Sequence, residues 1–513
     1  MKIDVLIVGA GPTGSALAID LARRGLRVRI IDRSDRSFPG SRAKGLQPRT
    51  QEVLYDLGAL EDVLAAGSSY PSLGIHLGPL TLPKRMYKER LSTADVPYPN
   101  TLLIAQYNTD RILHDRMAAF GVQPEFSTNL ISFDQDVDEV RASINGPLGA
   151  ETVTCKFMVG ADGGSSTVRR GLGIEFPGKT VESDRMIIVD AKTDGLSRKY
   201  WHFWPKLGGQ FVGACPLPTS DLFQWMLRLK PGEEPDMDET ALNRRIQKQT
   251  GNRKIRIYDI QWTSVFRPNI RLAEDYFKGR IFLAGDAAHV HTPAGAQGLN
   301  TGVQDAYNLG WKLAQVIAGA PHALLATYEA ERQPVAAGVL GLSTQKYEAI
   351  GKLSTASIER GQDESQLSIT YRLGPLVQDA ADATNTCQVG DRAPDARLVD
   401  AKEASIRLFE VLRGPQFTLL AFGPEAEKEL IQVEWPSTGA RLKRVAIGAG
   451  KSGKADLYLN DDNASFQSIY GLNGNALILI RPDGYIGHIA LQNRMAGLSC
   501  AISAVAPRDC VAA

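Results

Sequence analysis

The sequence predicts a mixed α/β protein in three parts, and three features of the chain indicate this. A glycine-rich turn, Gly9-x-Gly11-x-x-Gly14, stands between an apolar run and a helical repeat. From about residue 183 to 265 the pattern changes to segments typical of a large antiparallel sheet. After Gly390 the composition changes again, and new strand-like runs indicate a separate α/β unit. A chain of 513 residues has room for this at about 150 residues per domain.

Composition excludes several classes of function. The 58 basic and 57 acidic residues leave a formal charge of +1, which argues against nucleic acid or an anionic membrane as the main partner. No apolar run approaches the about 20 residues needed to cross a bilayer. The five cysteines form no C-x-x-C pair, which argues against a disulfide scaffold or a zinc ribbon and favours a reducing, cytoplasmic interior. No metal site is expected.

The N-terminal segment predicts a Rossmann-type strand–turn–helix–strand unit. Residues 5–8 are continuously apolar, as in a strand buried on both faces. Gly9 allows the tight turn, Gly11 lets a pyrophosphate approach the backbone, and Gly14 lets the helix pack on the strand. Asp32 ends the second strand about 20 residues on, where a carboxylate binds ribose hydroxyls. A tight turn in a nucleotide-free protein is the alternative, and it leaves Asp32 unexplained.

The remaining elements follow from periodicity. They are helices at 44–66, 110–120 and 302–318, short strands and loops at 70–105, β-type alternation at 126–159, strands at 186–192, 199–204, 210–215, 254–264 and 281–284, and a helical, charged insert at about 220–250.

A second glycine-rich motif decides which dinucleotide is expected. Gly285-Asp286 follows the strand at 281–284, and the loop Thr292-Pro293-Ala-Gly295-Ala-Gln-Gly298-Leu299-Asn300 leads into a helix. Backbone N–H groups of such a loop can bind a ring edge that becomes negative on reduction. A Gly-Asp pair alone would fit an ordinary strand–loop–helix connection, but the whole sequence from 285 to 305 favours a flavin site.

At this point the sequence resembles the class A flavoprotein aromatic hydroxylases, which share the p-hydroxybenzoate hydroxylase fold. The glycine turn, the Asp-Gly motif around Val159-Gly-Ala-Asp162-Gly and the Gly285-Asp286 loop match in order and distance, over about residues 1–345. The tail resembles the thioredoxin-like domain of the phenol and polyketide hydroxylases at Gly390-Asp-Arg-Ala-Pro394 and Arg481-Pro-Asp-Gly484-Tyr. Ser41-Arg42-Ala-x-Gly45 resembles the branch that hydroxylates aromatic polyketides and some antibiotics.

The resemblance implies a Rossmann-type FAD-binding domain with an inserted antiparallel sheet and a C-terminal thioredoxin-like domain. The expected boundaries are 1–180 with 266–345 for the FAD-binding domain, 181–265 with part of 70–105 for the substrate-binding sheet, 346–385 for a connector and 386–513 for the thioredoxin-like domain.

The resemblance also implies non-covalent FAD and roles for matching residues. Asp32, with Arg33 beside it, would hold the adenosine ribose, and Leu130 would lie along the adenosine. Arg42 would face the pyrophosphate, and Gln106 and Asp286 the ribityl chain. Asp162 would hold either its own turn or the cofactor. The full expected cofactor set is Gly9, Gly11, Pro12, Thr13, Gly14, Asp32, Arg33, Arg42, Gln106, Leu130, Asp162, Gly285, Asp286, Pro293, Gly298, Leu299 and Asn300.

The function implied is a monooxygenase that uses NAD(P)H and O2 to hydroxylate a phenolic or polyketide-like ring through a flavin C4a-hydroperoxide. A second G-x-G-x-x-G unit is not apparent, so NAD(P)H would bind transiently. An epoxidase, a Baeyer–Villiger oxygenase and a flavin-loaded binding protein stay open as alternatives. A halogenase is disfavoured, because Trp201-His-Phe-Trp204 does not match that family's Trp-x-Trp-x-Ile. The expected assembly is a monomer or homodimer.

The candidate substrate residues are strand aromatics, namely Trp201, Phe203, Phe211 and Trp262, for which sheet packing is the plainer alternative. Catalytic roles are expected for Arg42, Pro293 and His202. Strand alternation puts His202 on the face opposite Trp201 and Phe203. It therefore reaches the substrate only if its own face lines the pocket, and the alternative is a packing histidine.

Two further expectations concern structural roles. His289 is expected to be a structural loop histidine. The three C-terminal cysteines, Cys387, Cys500 and Cys510, are too scattered for a dithiol, which favours a structural role for the tail.

Overall fold

The structure is a computed structural model that describes residues 3–86, 88–182, 184–206, 210–292, 295–351, 363–377, 386–448 and 455–507. Pro293, Cys510 and much of the predicted connector lie outside the described residues.

The strands are β1 Ile3–Val8, β2 Val28–Ile31, β3 Gly45–Leu46, β4 Ser68–Ser69, β5 Ser72–Leu77, β6 Leu80–Lys84, β7 Leu102–Leu103, β8 Pro124–Glu125, β9 Asn129–Gln135, β10 Val140–Gly146, β11 Gly149–Gly160, β12 Gly178–Thr180, β13 Met186–Asp194, β14 Tyr200–Pro205, β15 Phe211–Pro216, β16 Leu222–Arg228, β17 Arg256–Phe266, β18 Asn269–Leu272, β19 Phe277–Lys278, β20 Ile281–Leu283, β21 His289–Val290, β22 Arg397–Val399, β23 Ser405–Arg407, β24 Phe417–Phe422, β25 Leu442–Ile447, β26 Leu457–Leu459, β27 Ala476–Ile480 and β28 Ile486–Ala490. The α-helices are α1 Pro12–Ala22, α2 Pro48–Leu57, α3 Leu60–Ala66, α4 Gln106–Ala118, α5 Thr167–Gly171, α6 Glu239–Thr250, α7 Gly298–Ile317, α8 Ala323–Gly351, α9 Leu408–Leu412, α10 Pro424–Leu430, α11 Ser465–Tyr470 and α12 Arg494–Val505.

A parallel sheet forms the base of the molecule. Strands β20, β11, β1, β2 and β8 lie side by side and run in the same direction. Strands β10 and β9 extend β11 as an antiparallel arm. Because the strands are parallel, β1, β2, β11 and β20 all end at one edge, which is where doubly wound sheets bind their ligands.

A second sheet has the order β17-β13-β16-β15-β14-β5-β6 and is antiparallel except between β14 and β5. One of its faces packs against α6, and Trp225 and Leu227 of β16 form a core there with Leu242 and Ile246 of that helix. The prediction of a helical insert at 220–250 is wrong in its first part. Residues 222–228 form β16, hydrogen-bonded between β13 and β15.

The C-terminal unit is a third sheet of order β26-β25-β24-β27-β28, with parallel pairing on one side of β24 and antiparallel pairing on the other. This is the thioredoxin-like arrangement. Cys155, Cys215 and Cys387 are buried free thiols, and Cys500 is exposed.

In the described part of the chain, no helix has both the length and the apolar character to cross a membrane. The same residues contain no group of three metal-ligating side chains placed to hold an ion.

Candidate active site

The glycine turn between β1 and α1 is shaped by close backbone contacts. Gly9 has φ +109°, and a Cβ there would lie 2.3 Å from the carbonyl oxygen of Ala161. A Cβ on Gly14 would lie 1.9 Å from the carbonyl oxygen of Gly9, whereas one on Gly11 would meet open space. Helix α1 begins at Pro12 and carries no acidic residue in its first turn. Its free N–H groups therefore face an open space that suits an anion.

Asp32 closes this turn from the end of β2. Its carboxylate accepts hydrogen bonds from the backbone N–H groups of Ala10 and Ser34, each at 2.8 Å. Arg33 beside it is exposed. The backbone of Asp32 also accepts the N–H of Thr128, and Leu130 follows as a buried residue of β9.

Asp162 lies at the end of β11, against the same turn. One carboxylate oxygen accepts the N–H of Thr167 at 2.6 Å and so holds the start of α5. The other oxygen is buried and has no hydrogen-bond partner in the described chain. Asp162 therefore stabilises the start of α5 through one oxygen, and its second oxygen is available to a ligand.

The loop after β20 is locked onto α1 by Thr13. A Cβ on Gly285 or on Gly302 would lie within 2.5 Å of the Thr13 hydroxyl. Asp286 is exposed to the crevice between the loop and the glycine turn. Loss of bulk water around its carboxyl raises the pKa of Asp286, although His289 and Arg42 act against this rise.

The start of α7 is tied to the segment that follows Arg42. The Asn300 side chain accepts the N–H of Gln47 and donates to the carbonyl of Gly45, both at 2.8 Å. Leu299 and Gly298 are half-buried beside it, and the first turn of α7 carries no acidic residue. The N-terminus of α7 therefore suits an anion or an electron-rich ring edge. Pro293, expected to line the flavin and to have a catalytic role, lies outside the described residues.

Arg42 and Gln106 approach the same crevice from two other elements. The Arg42 guanidinium is exposed and lies 5.3 Å from the Phe38 ring. Gln106, the first residue of α4, accepts the N–H of Ala43 at 3.1 Å. The segment from Ser41 to Gly45 is therefore fixed between α4 and the flavin loop.

His289 is buried in a polar chain behind the loop. Its Nε2 lies 2.6 Å from Asp305, and its Nδ1 lies 2.8 Å from Nε2 of His291. Asp305 also accepts the N–H of Gly285 and a hydrogen bond from Arg332. Although burial acts in the opposite direction, His289 and Arg332 lower the pKa of Asp305. These contacts agree with a structural role for His289.

One face of the second sheet forms the opposite wall of the crevice. Asp190 pairs with Gln224, and Gln224 with Cys215, so the three share a face. By the same pairing Trp201, Phe203, Phe211 and Trp262 lie on that face. Phe203 and Phe211 contact each other with centroids 5.4 Å apart. Phe203 and Phe211 thus lie together on this wall, whereas Trp262 lies on the same face but is separated from them by β13 and β16.

Trp262 packs against the loop before Arg42. Its ring lies 5.2 Å from that of Phe38, and a Cβ on Gly40 would come within 2.3 Å of it. Gly40 is thus the residue that lets the loop close over this tryptophan.

His202 lies on the other face, and its predicted pocket role is not supported by its position. Its Nε2 donates to the carbonyl of Ser197 at 2.6 Å, and its Nδ1 lies 2.8 Å from Nε2 of His76. Its ring stacks near Trp204, which belongs to the core under α6. Burial lowers the pKa of His202. The alternative of a packing histidine is the one the contacts favour.

Three residues that sequence reasoning did not single out, Asp190, Gln224 and Lys44, meet Ser41 and one another on the crevice side of the second sheet. Asp190 accepts hydrogen bonds from the N–H and hydroxyl of Ser41, at 2.7 and 2.6 Å. Gln224 donates to Ser41 and accepts from the Lys44 ammonium. Ser41 belongs to a motif noted in the sequence, but its partners Asp190 and Gln224 lie 149 and 183 residues away.

The crevice fits FAD on the chain's own features. The open space at Gly11, the unpartnered oxygen of Asp162 and the exposed Asp286 lie along one edge of the parallel sheet. Two helix N-termini without acidic residues, those of α1 and α7, meet there. Phosphates and an electron-rich ring edge are the groups that such donors bind.

Comparison with known proteins agrees with this geometry. The model of the family described as "FAD binding domain" matches residues 2–343, and that of "Aromatic-ring hydroxylase, C-terminal" matches residues 386–506. The chain belongs to the FAD-binding aromatic-ring hydroxylases. It is a flavin-dependent monooxygenase with FAD as its cofactor.

Three relatives of this hydroxylase span nearly its whole length. A flavin-dependent monooxygenase of Mycobacteroides abscessus is 40% identical over 96% of this chain and 98% of its own. Pentachlorophenol 4-monooxygenase of Sphingobium chlorophenolicum is 32% identical over 94% of this chain and 93% of its own. The structure of aklavinone-11 hydroxylase with FAD and aklavinone is 26% identical, covers 98% of each chain and has a TM-score of 0.80. The predicted family, fold class, cofactor and aromatic hydroxylation are confirmed.

Proposed function

We propose that this hydroxylase uses NAD(P)H and O2 to add one oxygen atom to a phenolic or polyketide-like ring. The observation that carries the proposal is the crevice itself. The flavin loop and the aromatic wall of Trp201, Phe203 and Phe211 face each other across the segment 41–45, which contacts both. Bound FAD would supply the hydride-accepting and oxygen-activating chemistry there.

Each wall has its own task in this proposal. The glycine turn and α1 would hold the pyrophosphate with Arg42, and Asp32 would hold the adenosine ribose. Asp286 would hold the ribityl chain, and the N–H groups of Leu299 and Asn300 would face the pyrimidine edge. The aromatic wall would orient the substrate ring and exclude water.

Other members of the predicted set would act beside these residues. Gly9, Gly14 and Thr13 shape the turn, Leu130 would lie along the adenosine, and Gln106 would reach the ribityl chain. We also infer the domain boundaries predicted above, a cytoplasmic location and a monomer or homodimer. Size-exclusion chromatography with light scattering would report the assembly.

The experiment is a screen of phenols and aromatic polyketides for stimulated NAD(P)H oxidation by the FAD-loaded protein. Products would be examined by mass spectrometry with labelled O2 and by NMR. The expected result is stimulation by at least one phenol, with one labelled oxygen on a ring carbon. Oxygen in a ring ester or epoxide would indicate the other oxygenase reactions. Binding without stimulated oxidation by any aromatic compound would indicate a flavin-loaded binding protein and would overturn the proposal.

A further inference from the structure

Lys44 places an ammonium group on the aromatic wall of the crevice. Its Nζ donates to the side-chain oxygen of Gln224, lies 3.8 Å from the sulfur of Met226 and stands 4.6 Å from the centre of the Trp201 ring. Gln224, Met226 and Trp201 belong to the sheet face that looks toward the flavin loop. The ammonium therefore lies against the wall to which the proposed function assigns the aromatic substrate.

This cation has no carboxylate partner within ion-pair distance among the described residues. The nearby carboxylate, Asp190, is reached only through Gln224 and Ser41, and it already accepts two hydrogen bonds from Ser41. Loss of water lowers the pKa of Lys44, although Cys215 and Asp190 act against this. A cation removed from water is costly unless an opposite charge approaches it. Among the described residues, the Lys44 ammonium therefore has no anionic partner, and an anionic ligand could take that place.

The backbone fixes Lys44 between the two walls. Its carbonyl accepts the hydroxyl of Tyr70 at 3.2 Å. At the next residue, Gly45, a Cβ would come within 2.8 Å of the Ala296 Cβ in the flavin loop. The Lys44 side chain therefore extends from a backbone beside the flavin loop to the aromatic wall, where its ammonium lies.

We propose that Lys44 is a substrate-binding residue whose ammonium holds an ionised oxygen, a phenolate or enolate, of the aromatic substrate. The proposal rests on the proposed function, because it assumes that the aromatic wall takes the substrate ring. It assigns the substrate class more narrowly: phenols or enols acidic enough to ionise, in preference to their ethers.

The test measures binding rather than turnover. FAD-loaded protein without NAD(P)H is titrated with pentachlorophenol, at a pH where it is ionised, and with pentachloroanisole, its O-methyl ether, and flavin absorbance is followed. The variants are Lys44→Met, Lys44→Arg and, as a matched control, Lys199→Met, which removes an exposed lysine just before β14. FAD content and melting temperature are measured for each protein.

Wild type is expected to bind the phenolate at least about tenfold more tightly than the ether, as one charge-assisted hydrogen bond provides. Lys44→Met should lose this preference for the phenolate, while its Kd for the ether should stay within about twofold of the wild-type value. Lys44→Arg should keep most of the preference, and Lys199→Met should keep all of it. Equal phenolate binding by wild type and folded Lys44→Met overturns the proposal.

A wild type that shows no preference, or that binds neither compound, overturns it as well. The screen for stimulated NAD(P)H oxidation tests ring hydroxylation itself, so it can fail or succeed independently of the role of Lys44. A phenol hydroxylated with the same KM by wild type and Lys44→Met would refute the role of Lys44 alone.

Discussion

Gly11 and Gly14 lie three residues apart in the glycine turn, yet alanine should affect them in different ways. Gly11 has φ −73° and ψ −176°, an extended conformation that alanine adopts freely, and its added Cβ meets no atom within 4 Å. Gly11→Ala should therefore change the free energy of unfolding of the apoprotein by no more than about 0.5 kcal/mol. At Gly14 the added Cβ lies 1.9 Å from the Gly9 carbonyl oxygen and 3.2 Å from Ile7, so the fold must shift. Overpacking of this kind costs about 1–3 kcal/mol.

The affinity for FAD, rather than the stability of the apoprotein, should be what Gly11→Ala lowers. The Gly11 methyl would occupy the space in front of the first turn of α1, where the pyrophosphate must approach the N–H groups. Displacing it from one charge-assisted hydrogen bond costs about 1.5–3 kcal/mol. The Kd for FAD should thus rise at least about tenfold in a protein that is otherwise stable.

The assay combines thermal melting of the apoprotein with titration of FAD by quenching of its fluorescence. Gly338→Ala is the matched control, because it adds a methyl in equally open space on the exposed side of α8, away from the crevice. Wild-type FAD affinity in Gly11→Ala would refute the placement of the pyrophosphate over this turn. A large drop in its apoprotein melting temperature would refute the open space itself.

Four further outcomes follow from the site. Asp286→Ala should lower FAD retention after desalting, measured by absorbance, while circular dichroism stays unchanged; full retention would remove Asp286 from the cofactor site. His202→Gln should leave product yield per NAD(P)H unchanged across pH, because the side chain faces away from the crevice, and a shifted pH profile would contradict this. Replacing the three C-terminal cysteines together by serine should keep coupled turnover near wild type, and a large loss with the fold intact would contradict the structural role. Burial raises the pKa of Asp110 to about 8, above its value in the unfolded chain, so the folded state loses stability as pH rises from about 4 to 8. Asp110→Asn should therefore raise the apoprotein melting temperature at pH above 8 but not near pH 4, and equal differences at both would refute the shift.

The FAD-binding part could be predicted because its signals are local. The apolar run at residues 5–8, the three glycines and Asp32 lie within one βαβ stretch, and the structure has β1, α1 and β2 there. The same holds for the loop after β20, where Gly285 and Asp286 adjoin a strand and a helix.

The errors occurred where distant contacts decide the structure. Residues 222–228 form a strand because β13 and β15 offer hydrogen-bonding edges on both sides, and local composition carries no sign of either partner. Alternation separated His202 from Trp201 correctly, but which face meets the flavin loop depends on α6 covering the other. Lys44 could not be found because Gln224, whose side-chain oxygen accepts its hydrogen bond, is 180 residues away.

The C-terminal unit meets the FAD-binding part through a buried set of charges. Arg481 donates two hydrogen bonds to Glu331 on α8, at 2.6 and 2.9 Å. Lys312 on α7 donates to the same carboxylate at 2.7 Å. Arg49 on α2 donates to the carbonyl of Asp483 at 2.8 Å. All these side chains are buried, so removing one partner would strand an uncompensated charge at a cost of about 3–5 kcal/mol.

The helices held by this contact are those that carry the crevice. Helix α7 starts at the end of the flavin loop, and α2 starts two residues after β3, which joins that loop to the segment bearing Lys44. A displacement of the turn at 481–484 would therefore shift both the flavin loop and the segment that contacts the aromatic wall. We therefore expect the C-terminal unit to contribute to an ordered active site, although its cysteines lack dithiol spacing. It would act by fixing the distance between the flavin loop and the aromatic wall, and its thiols need take no part.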